Sequence, residues 1–166
     1  MKLALLKDLN ALRAARRGGV LVTDLASGDQ RLVTEETLGV DPLGEQAEAA
    51  LRAGRSAMLE IEGRKVFLNV QAPPIRLVIV GAVHVAQALA PMAVTCGHDV
   101  TIIDPRTAFA APERFPDARV IAKWPDEAIA ELGGFDRHTA LAAITHDPKV
   151  DDPALVAALK AGCFYI

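Results

Sequence analysis

The sequence predicts an α/β fold: a doubly wound parallel sheet in strand order 3-2-1-4-5 over residues 75–166, preceded by a small α+β subdomain over residues 1–72. Three observations predict it. The apolar run Leu77 to Val80 leads straight into Gly81, and Val85, Leu89 and Met92 then recur at helical spacing. That is how a buried parallel strand turning sharply into a helix reads. A second apolar strand, Val100 to Ile103, ends in Asp104, roughly 20 residues past the turn, where a nucleotide-binding fold places an acid for a ribose hydroxyl. Finally, strand and helix patterns alternate from Ile75 onward but pair as hairpins before Gln71-Ala-Pro-Pro74. Consecutive prolines cannot continue a ladder, so that stretch is the linker.

Taken in order, Met1 to Arg17 is an amphipathic helix with Leu5, Leu9 and Leu12 on one stripe, stopped by Gly18-Gly19. Val20–Asp24 and Gln30–Thr34 flank a short glycine-containing loop and form a hairpin. A helix from about Leu43 to Ala53 is closed by Gly54. Ser56–Glu62 and Lys65–Val70 alternate around Gly63 as a second hairpin. In the second half, Arg119–Ala122 is a short third strand, and Pro125 opens a helix to Leu132. Thr139–Ile144 is the fourth strand, ending in Thr145-His146-Asp147. Asp152 caps a helix that starts at Pro153, and Gly162–Ile166 is the fifth strand. Right-handed crossovers give the stated order and leave a sheet edge that needs covering, which points to a second subunit.

At 166 residues, with 51% hydrophobic and only 4% aromatic content, the chain builds its core from Ala, Val, Leu and Ile. A net charge of −3 argues against nucleic acid and acidic lipid as partners. The basic cluster Arg13, Arg16 and Arg17 sits at a helix end, where cations suit the dipole. Cys96 and Cys163 have neither metal-site spacing nor a disulfide framework, so a reducing cytoplasm is the simplest setting. Lys7 and Asp8 interrupt the first apolar residues, which rules against a signal peptide, and no run reaches the length of a membrane span.

In the expected topology three segments meet at the carboxyl ends of neighbouring strands, where open α/β sheets bind ligands. They are the turn Gly81-Ala82-Val83-His84, the strand end Asp104-Pro105-Arg106, and Thr145-His146-Asp147. Unsatisfied N–H groups and the positive end of the helix dipole favour a phosphate at the first of them. Against the dinucleotide fingerprint G-x-G-x-x-G/A, Gly81 and Ala86 fit, but Val83 replaces the middle glycine. Its bulk faces the ligand, and it is costly if the turn needs positive φ, which weakens NAD(P) binding. His84, in the first helical turn, is either a ligand donor or acceptor or a histidine satisfied by water. His146 is either a base or ligand group oriented by Asp147, or part of a segment in which Asp147 and Asp151 only cap the following turn and helix. Asp104 can accept from a ribose or pterin N–H and Arg106 can hold a phosphate, or the pair forms an Asx-type turn. Both cysteines read as packing, and no catalytic triad or zinc motif is present.

Leu77-Val-Ile-Val-Gly-Ala-Val-His-Val-Ala86, Val100-Thr-Ile-Ile-Asp-Pro-Arg106, Thr145-His-Asp-Pro-Lys-Val-Asp-Asp-Pro-Ala-Leu155 and Cys163-Phe-Tyr-Ile166 together resemble the xanthine dehydrogenase accessory (XdhC/CoxI) family. Its motifs run close to GAGHVA, DPR, and THD with a spaced aspartate. Gly81, His84, Ala86, Asp104, Arg106, Thr145, His146, Asp147 and Asp151 match them in order and spacing. The resemblance implies a Rossmann-like domain and a maturation factor without turnover of its own. Such a factor binds molybdenum cofactor (molybdopterin), protects it during sulfuration and delivers it to a molybdenum hydroxylase apoenzyme, with a cysteine desulfurase as a further partner. It implies that Gly81, Ala82, Val83, His84, Asp104, Arg106, Thr145, His146 and Asp147 line the cofactor site. The family continues beyond Tyr165-Ile166 into a glycine-serine motif, so the domain is expected to be truncated at that end. An NAD(P)-dependent oxidoreductase and a non-catalytic, homodimerising Rossmann module are the alternatives.

Overall fold

The computed structural model describes residues 2–166, and Met1 lies outside the described residues. The chain divides into two compact units, Met1–Pro73 and Pro74–Ile166.

The first unit contains α1 (Leu3–Ala14), β1 (Gly19–Asp24), β2 (Gln30–Thr34), α2 (Gly44–Ala53), β3 (Ala57–Ile61) and β4 (Arg64–Gln71). Its four strands form an antiparallel sheet in the order β2-β1-β4-β3. Val20, Val22, Val33, Val66 and Leu68 from the sheet pack with Leu43, Ala47 and Ala50 around α2. The first helix stops earlier than Gly18-Gly19. Arg16 takes the left-handed conformation (φ 51°), and the Arg17 N–H donates to the Leu12 carbonyl at 3.0 Å. This six-residue closure satisfies the helix end without glycine. Gly19 serves the packing instead, because a Cβ there would stand 2.8 Å from a Leu12 methyl.

The second unit contains β5 (Arg76–Val80), α3 (His84–Thr95), β6 (Asp99–Ile103), β7 (Arg119–Ile121), α4 (Pro125–Glu131), β8 (Thr139–Ala143) and α5 (Pro148–Ala161). Its sheet is parallel, in the order β7-β6-β5-β8. The period-two alternation of β5 divides the core between the two faces. Val78 and Val80 pack with Ala128 of α4 and Ala154 and Ala158 of α5, and Ile79 packs with Ala86, Ala90 and Ala93 of α3. This is the α/β, doubly wound, Rossmann-like arrangement, with helices on both faces of the sheet.

Three expectations for this unit need correction. The stripe of α3 that faces the sheet is Ala86, Ala90 and Ala93, while Val85 and Met92 lie on the opposite, exposed side. Small side chains let the helix lie close to the sheet, and that close packing selects the buried face over side-chain size. The last helix begins at Pro148, with Asp147 as its N-cap, and Pro153 lies inside it. Proline is tolerated there because it removes one hydrogen bond near a helix start, on an exposed face. The fifth strand is reduced to a single parallel bridge, Ala140 to Tyr165, with the Leu141 N–H donating to the Tyr165 carbonyl at 2.9 Å. Among the described residues no helix is long and apolar enough to cross a membrane.

Candidate functional site

Each of the three segments reaches the carboxyl end of the sheet by backbone pairing. The Gly81 N–H donates to the Ile103 carbonyl at 2.8 Å, and the Ile144 N–H donates to the Val80 carbonyl at 2.9 Å. These bonds carry the parallel ladders one residue past β5 and β8, so the three strand ends finish level. Gly81 is needed twice over. Its φ is +120°, and a Cβ would lie 2.9 Å from the Thr145 methyl and 3.2 Å from the Thr145 nitrogen. The missing side chain is what brings the Thr145 segment against the turn.

Val83 is the N-cap of α3, with φ −92° and ψ 178°. This is ordinary extended backbone, so the turn asks for no positive φ here and valine adds only bulk. Among the described residues no side chain caps the N-terminus of α3, where Val83 offers none. The first-turn N–H groups and the positive dipole end therefore face outward beside an exposed His84.

Asp104 closes β6 and is fully buried. Its Oδ2 accepts from the Ala82 N–H at 2.8 Å and from Arg106 Nη2 at 2.7 Å. Its Oδ1 accepts from the Arg106 backbone N–H and from Nε, both at 2.9 Å. Burial alone would push the carboxyl up. The Arg106 side chain, the two backbone N–H groups and the arginine charge outweigh that and hold it below the usual carboxylate range. The Asx-type turn is thus present, and the lone pairs that a ribose or pterin N–H would use are already filled. Asp104 fixes the Ala82 peptide and orients Arg106, whose side chain is 42% exposed. The Asp104 hydrogen bonds raise the Arg106 guanidinium further, and the charges of Asp147 and Asp151 add to that, which places the third segment near it.

That segment is organised by Asp151, on the first turns of α5. Its Oδ1 accepts from the Thr145 hydroxyl at 2.7 Å and the Thr145 N–H at 3.3 Å, and its Oδ2 accepts from the His146 N–H at 2.8 Å. These bonds hold His146 in the left-handed region, φ 62°, an uncommon conformation for a residue with a Cβ. Asp147 caps α5 through Oδ1, which accepts from the Lys149 N–H at 3.0 Å. The His146 side chain is exposed.

The second-half pattern, read with this geometry, matches the XdhC Rossmann domain over residues 77–166. The chain belongs to the XdhC family. Its structure is also similar to a xanthine dehydrogenase from Bacillus halodurans, at 19% identity and a TM-score of 0.62. That similarity covers 97% of this chain and 48% of the other, so the chain spans about half the length of that solved structure. At such identity the likeness speaks for the fold. No curated protein sequence matches the chain.

In this XdhC-family chain hydrogen bonds join Ala82, Asp104 and Arg106, Gly81 lies against Thr145, and Asp151 ties Thr145 to His146, while Gly81, Ala82 and Asp104 are themselves buried. Sequence reasoning missed Arg114. Its Nη1 donates to the Ala82 carbonyl at 2.8 Å and to the Phe109 carbonyl at 2.6 Å, pinning the loop after β6 to the turn before α3. No local motif announces such a contact, since its partner is 32 residues away. Asp151 did carry a signal, as the spaced aspartate after Thr145-His146-Asp147, but its role as the anchor of the preceding loop is visible only in three dimensions. Cys96 is exposed, so the expectation that it packs in the core is wrong for it; at the half-buried Cys163, burial, helped by the charge of Asp136, pushes the thiol up. That suits packing better than nucleophilic chemistry.

Proposed function

We propose that this chain is an accessory factor for a molybdenum hydroxylase of the xanthine dehydrogenase type, and that it holds the phosphate-bearing pterin of molybdenum cofactor as cargo during sulfuration or insertion. The observation that carries the proposal is the uncapped N-terminus of α3, which opens beside an arginine whose orientation is already set by a buried carboxylate. The donor set fits the cargo. Outward N–H groups and Arg106 suit a phosphate. His146 and Asp147, at the facing strand end, supply acceptors for the N–H edge of a pterin. Asp104 acts behind them by fixing the Ala82 peptide and Arg106.

The dinucleotide alternative fares worse on the same residues. Its ribose hydroxyls would need an acceptor at the end of β6, and both oxygens of Asp104 are occupied. Val83 retains its bulk at the position where a pyrophosphate approaches.

The partners that follow are a molybdenum hydroxylase apoenzyme and a cysteine desulfurase, in the cytoplasm. Among the described residues the outer edge of β8 carries a single bridge, which supports a homodimer that covers it.

The test is a thermal-shift titration of the purified chain with molybdopterin, with NADP(H) as control. A ligand that binds only the folded state stabilises it by mass action, about 2.7 kcal/mol at a hundredfold excess over Kd. A shift with molybdopterin alone is the expected result. A shift with the dinucleotide alone, or with neither, would overturn the proposal.

A further inference from the structure

The proposed cargo has a planar ring as well as a phosphate, and the loop after β6 presents an aromatic side chain that the sequence motifs leave unused. Phe109 is 43% exposed, although its neighbour Ala110 is buried. The Arg106 guanidinium carbon lies 4.5 Å from the centre of its ring. The backbone beneath the ring is fixed. The N–H groups of Phe109 and Ala110 donate to the Arg106 carbonyl at 2.9 and 3.0 Å. Arg114 Nη1 bonds the carbonyls of both Phe109 and Ala82, and Nη2 bonds Gln87 Oε1 at 2.9 Å. A single nitrogen thus ties the peptide carrying this ring to the turn that opens α3.

An aromatic side chain left partly in water on such a braced backbone has the properties of a stacking platform: a large flat face, few rotamers to freeze and a fixed distance from a charged anchor. The adjacent guanidinium adds a second plane of the same kind.

We infer that Phe109, with Arg106 against it, stacks on the planar heteroaromatic ring of a phosphate-bearing ligand. That ring is a pterin in the reading above, and the adenine of a nucleotide shares the same chemistry. The inference rests on the proposed function for the position of the phosphate.

The test titrates the intact chain with a pterin monophosphate, with AMP and with inorganic phosphate, for the wild type, Phe109→Ala and Phe109→Trp. Phe109→Ala is expected to weaken pterin monophosphate by about tenfold, the loss of one stacked ring. It should leave inorganic phosphate unchanged, and Phe109→Trp should restore binding and quench the pterin fluorescence. The same pattern with AMP in place of the pterin keeps the platform and assigns it to a nucleotide. Unchanged affinity of Phe109→Ala for a ligand that the wild type binds would overturn the platform and leave the proposed function standing. An equal loss for inorganic phosphate would overturn stacking as the cause. A wild type that binds neither ringed ligand would overturn both.

Discussion

Replacing Asp104 by Asn keeps the shape of the side chain and removes its charge, and the structure sets the cost. The carboxylate is fully buried and accepts four hydrogen bonds: from the Ala82 N–H, the Arg106 N–H, and Nε and Nη2 of Arg106. An amide retains one acceptor oxygen and points its NH2 group at the remaining donors. Either the Ala82 peptide and Nη2 or the two Oδ1 donors then lose their acceptor. Losing the acceptor for a buried donor costs about 1–3 kcal/mol, and breaking a buried ion pair about 3–5 kcal/mol. Arg106 is partly exposed, so water recovers some of its share, and the cost falls below that of a fully buried pair, to about 2–3 kcal/mol. For a unit of this size that corresponds to roughly 10 °C or more in the melting temperature.

Urea denaturation of wild type and Asp104→Asn at pH 7, followed by the same pair at falling pH, measures both the magnitude and its origin. The folded-state pKa of Asp104 lies below its unfolded value. Its contribution is therefore complete above the unfolded value of about 4 and disappears as pH falls through the folded one. The gap between wild type and variant should thus hold from pH 7 to about 5 and shrink below about 4. A gap under about 0.5 kcal/mol at pH 7, or one that stays constant down to pH 3, would refute the assignment of Asp104 as the latch between the turn and Arg106.

Three further substitutions probe the same surface. Gly81→Ala puts a methyl 2.9 Å from Thr145 Cγ2 at φ +120°, and should destabilise the second unit by about 2–4 kcal/mol in chemical denaturation. Asp151→Ala removes the acceptor for the Thr145 hydroxyl and the His146 N–H. It should cost about 2 kcal/mol and raise amide exchange at Thr145 and His146, whereas unchanged exchange there would mean that the segment holds itself. Val83→Gly should strengthen binding of a phosphate ligand in the thermal-shift titration by removing bulk alone, because Val83 is already extended. An unaltered shift would mean that the turn is not where the phosphate binds.

The boundary between what was legible and what was not follows the range of the interactions involved. Periodicity is a local property, and it marked the strands at Leu77–Val80, Val100–Ile103 and Thr139–Ile144 and the change from hairpins to alternating elements at Gln71–Pro74, because each pattern is confined to neighbouring residues. The same patterns named the segments that finish level at the carboxyl end of the sheet. Competition between equally local signals misled: Asp147 and Asp152 both precede a proline, and only the packing of Val150 and Asp151 against the body of the unit selects the earlier cap. The buried face of α3 was likewise undecided locally, since closeness of approach, and not residue size, turned the alanines inward.

The chemistry of the site lay still further from the sequence. Whether Asp104 is free for a ligand depends on the Ala82 peptide 22 residues away, and the bracing of Phe109 depends on Arg114 reaching that same residue. The sequence by itself determined most of the strands and helices, though neither the loss of the fifth strand nor the start of the last helix, and which family the chain resembles. Only the tertiary structure decided which polar groups are already spent on one another and which remain available, because hydrogen-bond capacity is consumed by neighbours in space and not by neighbours along the chain.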